Sequence, residues 1–273
     1  MSPTKAGDAL VGARLTAFRV VLAAWLFGWF VNAPGFWDNF RDGLAVPMHL
    51  PTLPRGLCDE RVAMAFYVIP IVGLAALFAP RAARAVTAVL VVCALGALLH
   101  GQTGSDATFL TSFWSATWLA WTAHGGGRDD DRALVHGRAL AQAIVGTLFL
   151  GAAIGKLTPE FEGGQAFYEL YFRHNGNWPY PWLRRELAVD SVRGLATAFS
   201  RCAIAAELVL AGAPLWPSSF VLSGVAVTAL AMMTAWTFHL ASVLSSVVGL
   251  AVAAYLLDRE LARRRTRGSR ARG

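Results

Sequence analysis

The chain has 273 residues, of which 56% are hydrophobic and 15% charged. A water-soluble domain carries about 25% charged residues. This composition therefore excludes an ordinary soluble enzyme and predicts an all-α, polytopic integral membrane helical bundle. The formal charge of +7 is concentrated in residues 259–273, RELARRRTRGSRARG. Beside a membrane helix, such a run reads as a basic cytoplasmic tail on anionic lipid rather than as a nucleic-acid surface.

Apolar runs of spanning length recur from end to end. They predict about eight transmembrane helices, over residues 15–33, 62–79, 84–100, 108–123, 134–156, 194–213, 218–238 and 240–257. The opening MSPTKAGDALVGARL has few positive residues, and no clean cleavage pattern follows its apolar run, so the first span is expected to insert and stay. Residues 218–257 form one apolar run that would make a single helix about 60 Å long. That is about twice the hydrocarbon core, so a turn near His239 is expected to divide it. A long loop, 157–193, joins spans five and six. Within it, NWPYPWLRREL predicts a short helix from about Trp182 at the membrane interface. Residues 1–258 thus read as a single transmembrane domain, with no room for a separate soluble one.

Sidedness follows from the basic residues. With the N-terminus in the cytoplasm, the inner segments hold twice as many lysines and arginines as the outer ones. Both termini are therefore expected to be cytoplasmic. The outer face then carries loops 34–61, 101–107 and 157–193 and the turn at His239, and the chemically interesting residues gather there.

Lys156 closes the fifth span. Lys5 and Lys156 are the only lysines among 24 basic residues. Arginine cannot give up its proton, whereas a desolvated lysine can act as a base. Lys156 either does so or snorkels to the outer interface. Glu207 lies mid-span in AIAAELVLAG, where a carboxylate needs a partner or a cavity; a functional and a structural role are equally open. Arg201 is six residues away, off the face that Glu207 occupies, so an intrahelical pair is not expected. Arg19, one turn into the first span, reads as a snorkelling residue or a cap on a neighbouring helix end.

His100, Lys156 and His239 close spans three, five and seven, which all run outward, so they should share one outer layer. His49 and His174 lie in outer loops that could cover it. No two histidines have the i, i+4 spacing of a metal-binding helix, and no metal is expected. Cys58, Cys93 and Cys202 match no zinc or redox spacing; a Cys58–Cys202 disulfide is an unfavoured alternative. Gly146, Gly151 and Gly155 mark the fifth span for close helix packing. Neither a phosphate-binding glycine loop nor a nucleophile elbow is present.

LTAFRVVLAAWLF at 15–27 and GAAIGKLTPEFEGGQAFY at 151–168 resemble the horizontally transferred transmembrane (HTTM) family, bacterial relatives of vitamin K-dependent gamma-carboxylase. There, too, a helix ends in a small residue and Lys-Leu, followed by an acidic stretch, an aromatic and a glycine. Glu207 and His239 also look like family positions. Phe161 stands where the family usually has tryptophan. Ala107 stands where it has a catalytic histidine, and the propeptide-binding soluble domain is lacking. The resemblance implies a bacterial cytoplasmic membrane and a lumenal-type outer site. It also implies Lys156 as the base acting on a reduced quinone such as vitamin K hydroquinone.

On this reading the candidate catalytic residues are Lys156, Glu207 and His239. The candidate substrate-binding residues are His100, Glu160, Glu162, Gly163 and His174. The expected partners are the lipid bilayer and either a small amphipathic ligand or a secreted peptide. A non-enzymatic alternative is a membrane partner, or an immunity or processing component, for such a peptide. A transporter is weaker, because no inverted repeat or broken helix pair is visible.

Overall fold

A computed structural model describes residues 10, 12–31, 60–100, 107–125, 131–173, 176, 179–235 and 241–270. They are almost wholly helical, with no strand among them. The helices are α1 (Gly12–Val31), α2 (Glu60–Val68), α3 (Gly73–Phe78), α4 (Ala83–His100), α5 (Ala107–His124), α6 (Asp131–Lys156), α7 (Pro159–Glu162), α8 (Gln165–Phe167), α9 (Tyr180–Glu186), α10 (Val189–Ala211), α11 (Ser218–Ala235) and α12 (Ala241–Arg270). Tight 3-10 turns at Ile69–Val72 and Pro80–Ala82 link α2, α3 and α4, and each begins around a proline that cannot continue an α-helical ladder.

A helix lies over each apolar segment marked in the sequence. Four helical stretches among the described residues are long and apolar enough to cross a membrane: Gly12–Val31, Pro80–Leu98, Asp131–Lys156 and Val189–Ala211. Met64–Phe78 and Ser218–Met232 are shorter apolar stretches. The chain is thus a helical protein built for a membrane. The expected short helix near Trp182 is α9. The last helix continues into the basic segment: α12 runs unbroken for 30 residues through Arg270. The turn near His239 lies outside the described residues.

The chain divides into two compact units, residues 1–141 with 241–273, and residues 142–240. In the first, α1 packs along α12, and α5 packs against both α1 and α4. Ala17, Phe18, Val21, Leu22, Trp25, Leu26 and Trp29 form the buried stripe of α1 at helical spacing. Gly249 of α12 permits the contact, since a Cβ there would sit 2.8 Å from that of Ala24. Trp25 and Trp29 stack with centroids 4.7 Å apart, and Trp29 stacks on Tyr67 at 5.1 Å. Their polar atoms are satisfied. Trp25 Nε1 donates to the Ser112 carbonyl at 2.8 Å, Trp29 Nε1 to the Tyr67 carbonyl at 3.0 Å, and Tyr67 OH to the Trp29 carbonyl at 2.6 Å.

Arginines close helix ends in this unit. Arg14, only 4% exposed, donates to the Thr122 carbonyl at 2.7 Å, and Arg84 to that of Ala123 at 3.2 Å. Both carbonyls belong to the last turn of α5, where no intrahelical donor remains. Arg19 donates to the Leu77 carbonyl at the end of α3 at 3.1 Å, so of its two readings the helix cap holds. The charged half of α12 is tied to the start of α6 by Arg138–Asp258 at 2.5 Å and Arg264–Asp131 at 3.4 Å.

Candidate functional site

The second unit is built on the last turns of α6 and on α10. The buried positions of α10 are Val192, Ala196, Ser200, Ile204, Glu207 and Leu210. They fall on one helical stripe, apolar except for the hydroxyl and the carboxylate. Near the foot of this stripe, Gly146 alone of Gly146, Gly151 and Gly155 lies at a close approach among the described residues. A Cβ there would lie 2.8 Å from the Ala211 carbonyl and 2.9 Å from Pro214, whereas Gly151 and Gly155 face open space.

Lys156 is the last residue of α6, as its position in the sequence predicts. Its Nζ donates to Glu207 Oε1 at 2.7 Å, to Oε2 at 3.0 Å and to the Ala152 carbonyl at 3.4 Å. An ammonium has three donors, and three acceptors surround this one. The Glu207 side chain is 1% exposed and that of Lys156 is 23% exposed. Two candidate catalytic residues, separated by 51 positions in the chain, therefore form one ion pair. This answers what accompanies the mid-span carboxylate. Glu160 and Glu162, candidate substrate-binding residues, are exposed in α7, and the carboxylate bonded to Lys156 is that of Glu207.

After Lys156 the chain leaves the helix at Leu157 and restarts at once. Thr158 is extended, and its hydroxyl accepts from the Phe161 N–H at 3.4 Å, with Pro159 at the first helical position. α7 lasts one turn, and of its last carbonyls that of Phe161 accepts from the Gly164 N–H at 2.9 Å. α10 supplies further side-chain donors. Ser200 bonds the Phe161 carbonyl, Arg201 Nε bonds that of Glu162 at 3.2 Å, and Thr197 bonds that of Gly163 at 2.9 Å. Gly164 then turns the chain at φ +76°, with Thr197 so close that a Cβ would lie 2.4 Å from its Cα. The sequence signal for this clamp is weak: Thr197, Ser200 and Arg201 stand at i, i+3 and i+4, which puts three polar side chains on neighbouring positions of α10.

Beyond the turn, Tyr168–Arg173 is wound as a π-helix. Phe172, Tyr180, Val192 and Ala196 make a small core there, packed by Phe167, Tyr168, Tyr171, Leu183 and Leu195. Arg184 reaches back to the Phe172 carbonyl. Burial in this cluster raises the Tyr171 phenol to about 12, with the nearby Tyr180 and Glu207 adding to the effect. Glu207 is thus close enough to the aromatic cluster to act on it. Tyr180 is also raised, by burial.

An open depression of about 330 Å³ is lined by Gly163, Gly164, Gln165, Tyr168, Glu169 and Arg193. Gly163, a candidate binding residue, is on its rim; Lys156 and Glu207 do not line it. His174 and His239, along with His49 and Cys58, lie outside the described residues. His100 ends α4, in the other unit, and its side chain lies outside the description. The described residues hold no cluster of metal-ligating groups. Cys93 and Cys202 are free thiols, the first buried and the second exposed. No family model, curated protein or solved structure matches this chain.

Proposed function

We propose that this chain is an eight-span membrane protein of HTTM type. In this reading the Lys156–Glu207 pair is the polar centre of a site for a small amphipathic molecule, quinone-like or lipid-like, and handles a proton there. The observation that supports it most is a carboxylate 1% exposed in an apolar helix of membrane-spanning length, held to a lysine at 2.7 Å. Taking two charges out of water is expensive, and a well-packed apolar pair of the same volume is often as stable or more so. An ionisable pair kept at membrane depth is therefore a functional site by default. The part of Lys156 that stays exposed is where a ligand would meet the pair.

The test is to purify the full chain in mild detergent and identify what it carries by mass spectrometry. Wild type is expected to retain a defined quinone or lipid, and the Lys156→Met/Glu207→Met double variant to fold and lose it. The same bulk lipid on both proteins would sink the proposal. Lys156→Arg separates binding from proton handling: it keeps the charge but cannot release a proton, so ligand should stay while turnover stops.

The full set of bonds on the Lys156 ammonium favours a second reading. With three acceptors occupied, the pair serves as a clasp between α6 and α10, and the chain is a non-enzymatic membrane partner of a secreted peptide. The double apolar variant would then keep its function, and substitutions in loops 34–61 and 157–193 would abolish it.

A further inference from the structure

The depression beside the α7–α8 turn is separate from the Lys156–Glu207 pair. One wall is pinned: Thr197 bonds the Gly163 carbonyl, and Gly164 has no space for a side chain. Another wall is Tyr168, with the Arg193 guanidinium lying over its ring, 5.6 Å from the centroid. Arg193 has no carboxylate partner among the described residues. Glu169, the one acidic group of the lining, is engaged by Arg173 at 2.8 and 3.1 Å. The charges at the depression therefore sum to a surplus cation beside an aromatic face. Gln165 adds an amide at the edge.

We propose that this depression binds a phosphate-bearing anion, seated on Arg193 and flanked by Tyr168 and Gln165. A guanidinium presents paired N–H groups that match phosphate oxygens, and the cation–π contact with Tyr168 favours its place at the depression before the ligand arrives. The ligand chemistry is that of a phosphodiester or phosphomonoester with a polar substituent, and a volume of about 330 Å³ admits a group of glycerophosphate size. Two sources carry that chemistry, a phospholipid headgroup and a soluble phosphate ester. Position favours the lipid. Arg193 is in the second turn of α10, at the end of a membrane-length helix, and Val189, one turn earlier, is 58% exposed, offering an apolar neighbour to an acyl chain.

The experiment uses the full chain in dodecyl maltoside, with intrinsic tryptophan fluorescence and native mass spectrometry as readouts. One arm titrates short-chain phosphatidylglycerol, and the other glycerol 1-phosphate. The expected result is saturable binding of the lipid, weakened tenfold or more by Arg193→Gln and partly restored by Arg193→Lys. Tyr168→Leu, which removes the stacking platform and leaves the charge, should weaken it severalfold. Equal binding of glycerol 1-phosphate would assign the seat to the soluble ester. No saturable binding in either arm, or binding unchanged in a folded Arg193→Gln protein, overturns the proposal. The Lys156→Met/Glu207→Met protein should bind as wild type does, so failure at one site is read independently of the other.

Discussion

Lys156 and Glu207 were each visible in the sequence as an ionisable residue in an apolar setting, one at a helix end and one mid-helix. Their pairing was not visible, because 51 residues separate them and only the packing of α6 on α10 brings them within 2.7 Å. A pair of this kind has an energetic signature. Removing one partner leaves the other charge without compensation, whereas removing both does not. Glu207→Gln alone is expected to destabilise the protein by about 2–4 kcal/mol, below the upper range for pairs because Lys156 is partly exposed. The Lys156→Met/Glu207→Met protein should recover most of that loss, and a double-mutant cycle on unfolding in mixed micelles measures the coupling. Tyr171 gives a second measurement at this scale. The folded protein holds its phenolic proton more tightly than the unfolded chain, whose tyrosines titrate near 10, so ionisation is delayed to about 12. The stability it contributes is present below about pH 10 and falls away as pH rises towards 12. Ultraviolet titration should show a late tyrosinate step that Tyr171→Phe removes.

At the scale of elements, helix positions were readable from hydropathy and prolines, but the fastenings between helices were not. Arg14 reads in sequence as one of the inner basic residues; in the folded chain it is buried and closes α5. Thr197 and Ser200 read as incidental polar residues; they hold α7 by its carbonyls. Such contacts depend on which helix end arrives opposite which side chain, and no periodicity encodes that. The glycines are a sharper case. Gly146, Gly151, Gly155 and Gly164 look alike in a glycine-rich stretch, yet the space around them differs. Gly164→Ala combines a left-handed backbone with a clash against Thr197 and should cost more than 2 kcal/mol, of which about 1–2 is backbone strain. Gly151→Ala faces open space and should be neutral or slightly stabilising, since alanine is the better helix former. Limited proteolysis across residues 157–168, together with thermal unfolding, will separate the two.

For the whole molecule, composition alone placed the chain in a membrane, and four helices have the length and apolarity to cross one. The eight-span arrangement and its sidedness make a direct prediction. On a cysteine-free background, Lys5→Cys and Arg267→Cys should react with an impermeant reagent from the same side of sealed vesicles, and Arg184→Cys from the other. Arg184 reacting with the termini would refute the arrangement. The basic C-terminal segment shows where composition falls short. Its charge was obvious, but its continuity with the last apolar helix was not, because arginine is also a good helix former.

The α6–α7 segment is fastened to α10 at more than one height. The upper joint is the set of three donors from Thr197, Ser200 and Arg201 to the turn after Lys156. The lower is Glu207, seven residues and about 10 Å further along α10. If a guest molecule draws Lys156 away from its carboxylate, the lower joint opens while the upper one stays shut. Beyond it, α6 remains held by the close approach of Gly146 to the Ala211 carbonyl and by the bond from Gln142 to the Trp216 carbonyl. A guest would therefore enter a slot closed at both ends, as a hand enters a pocket.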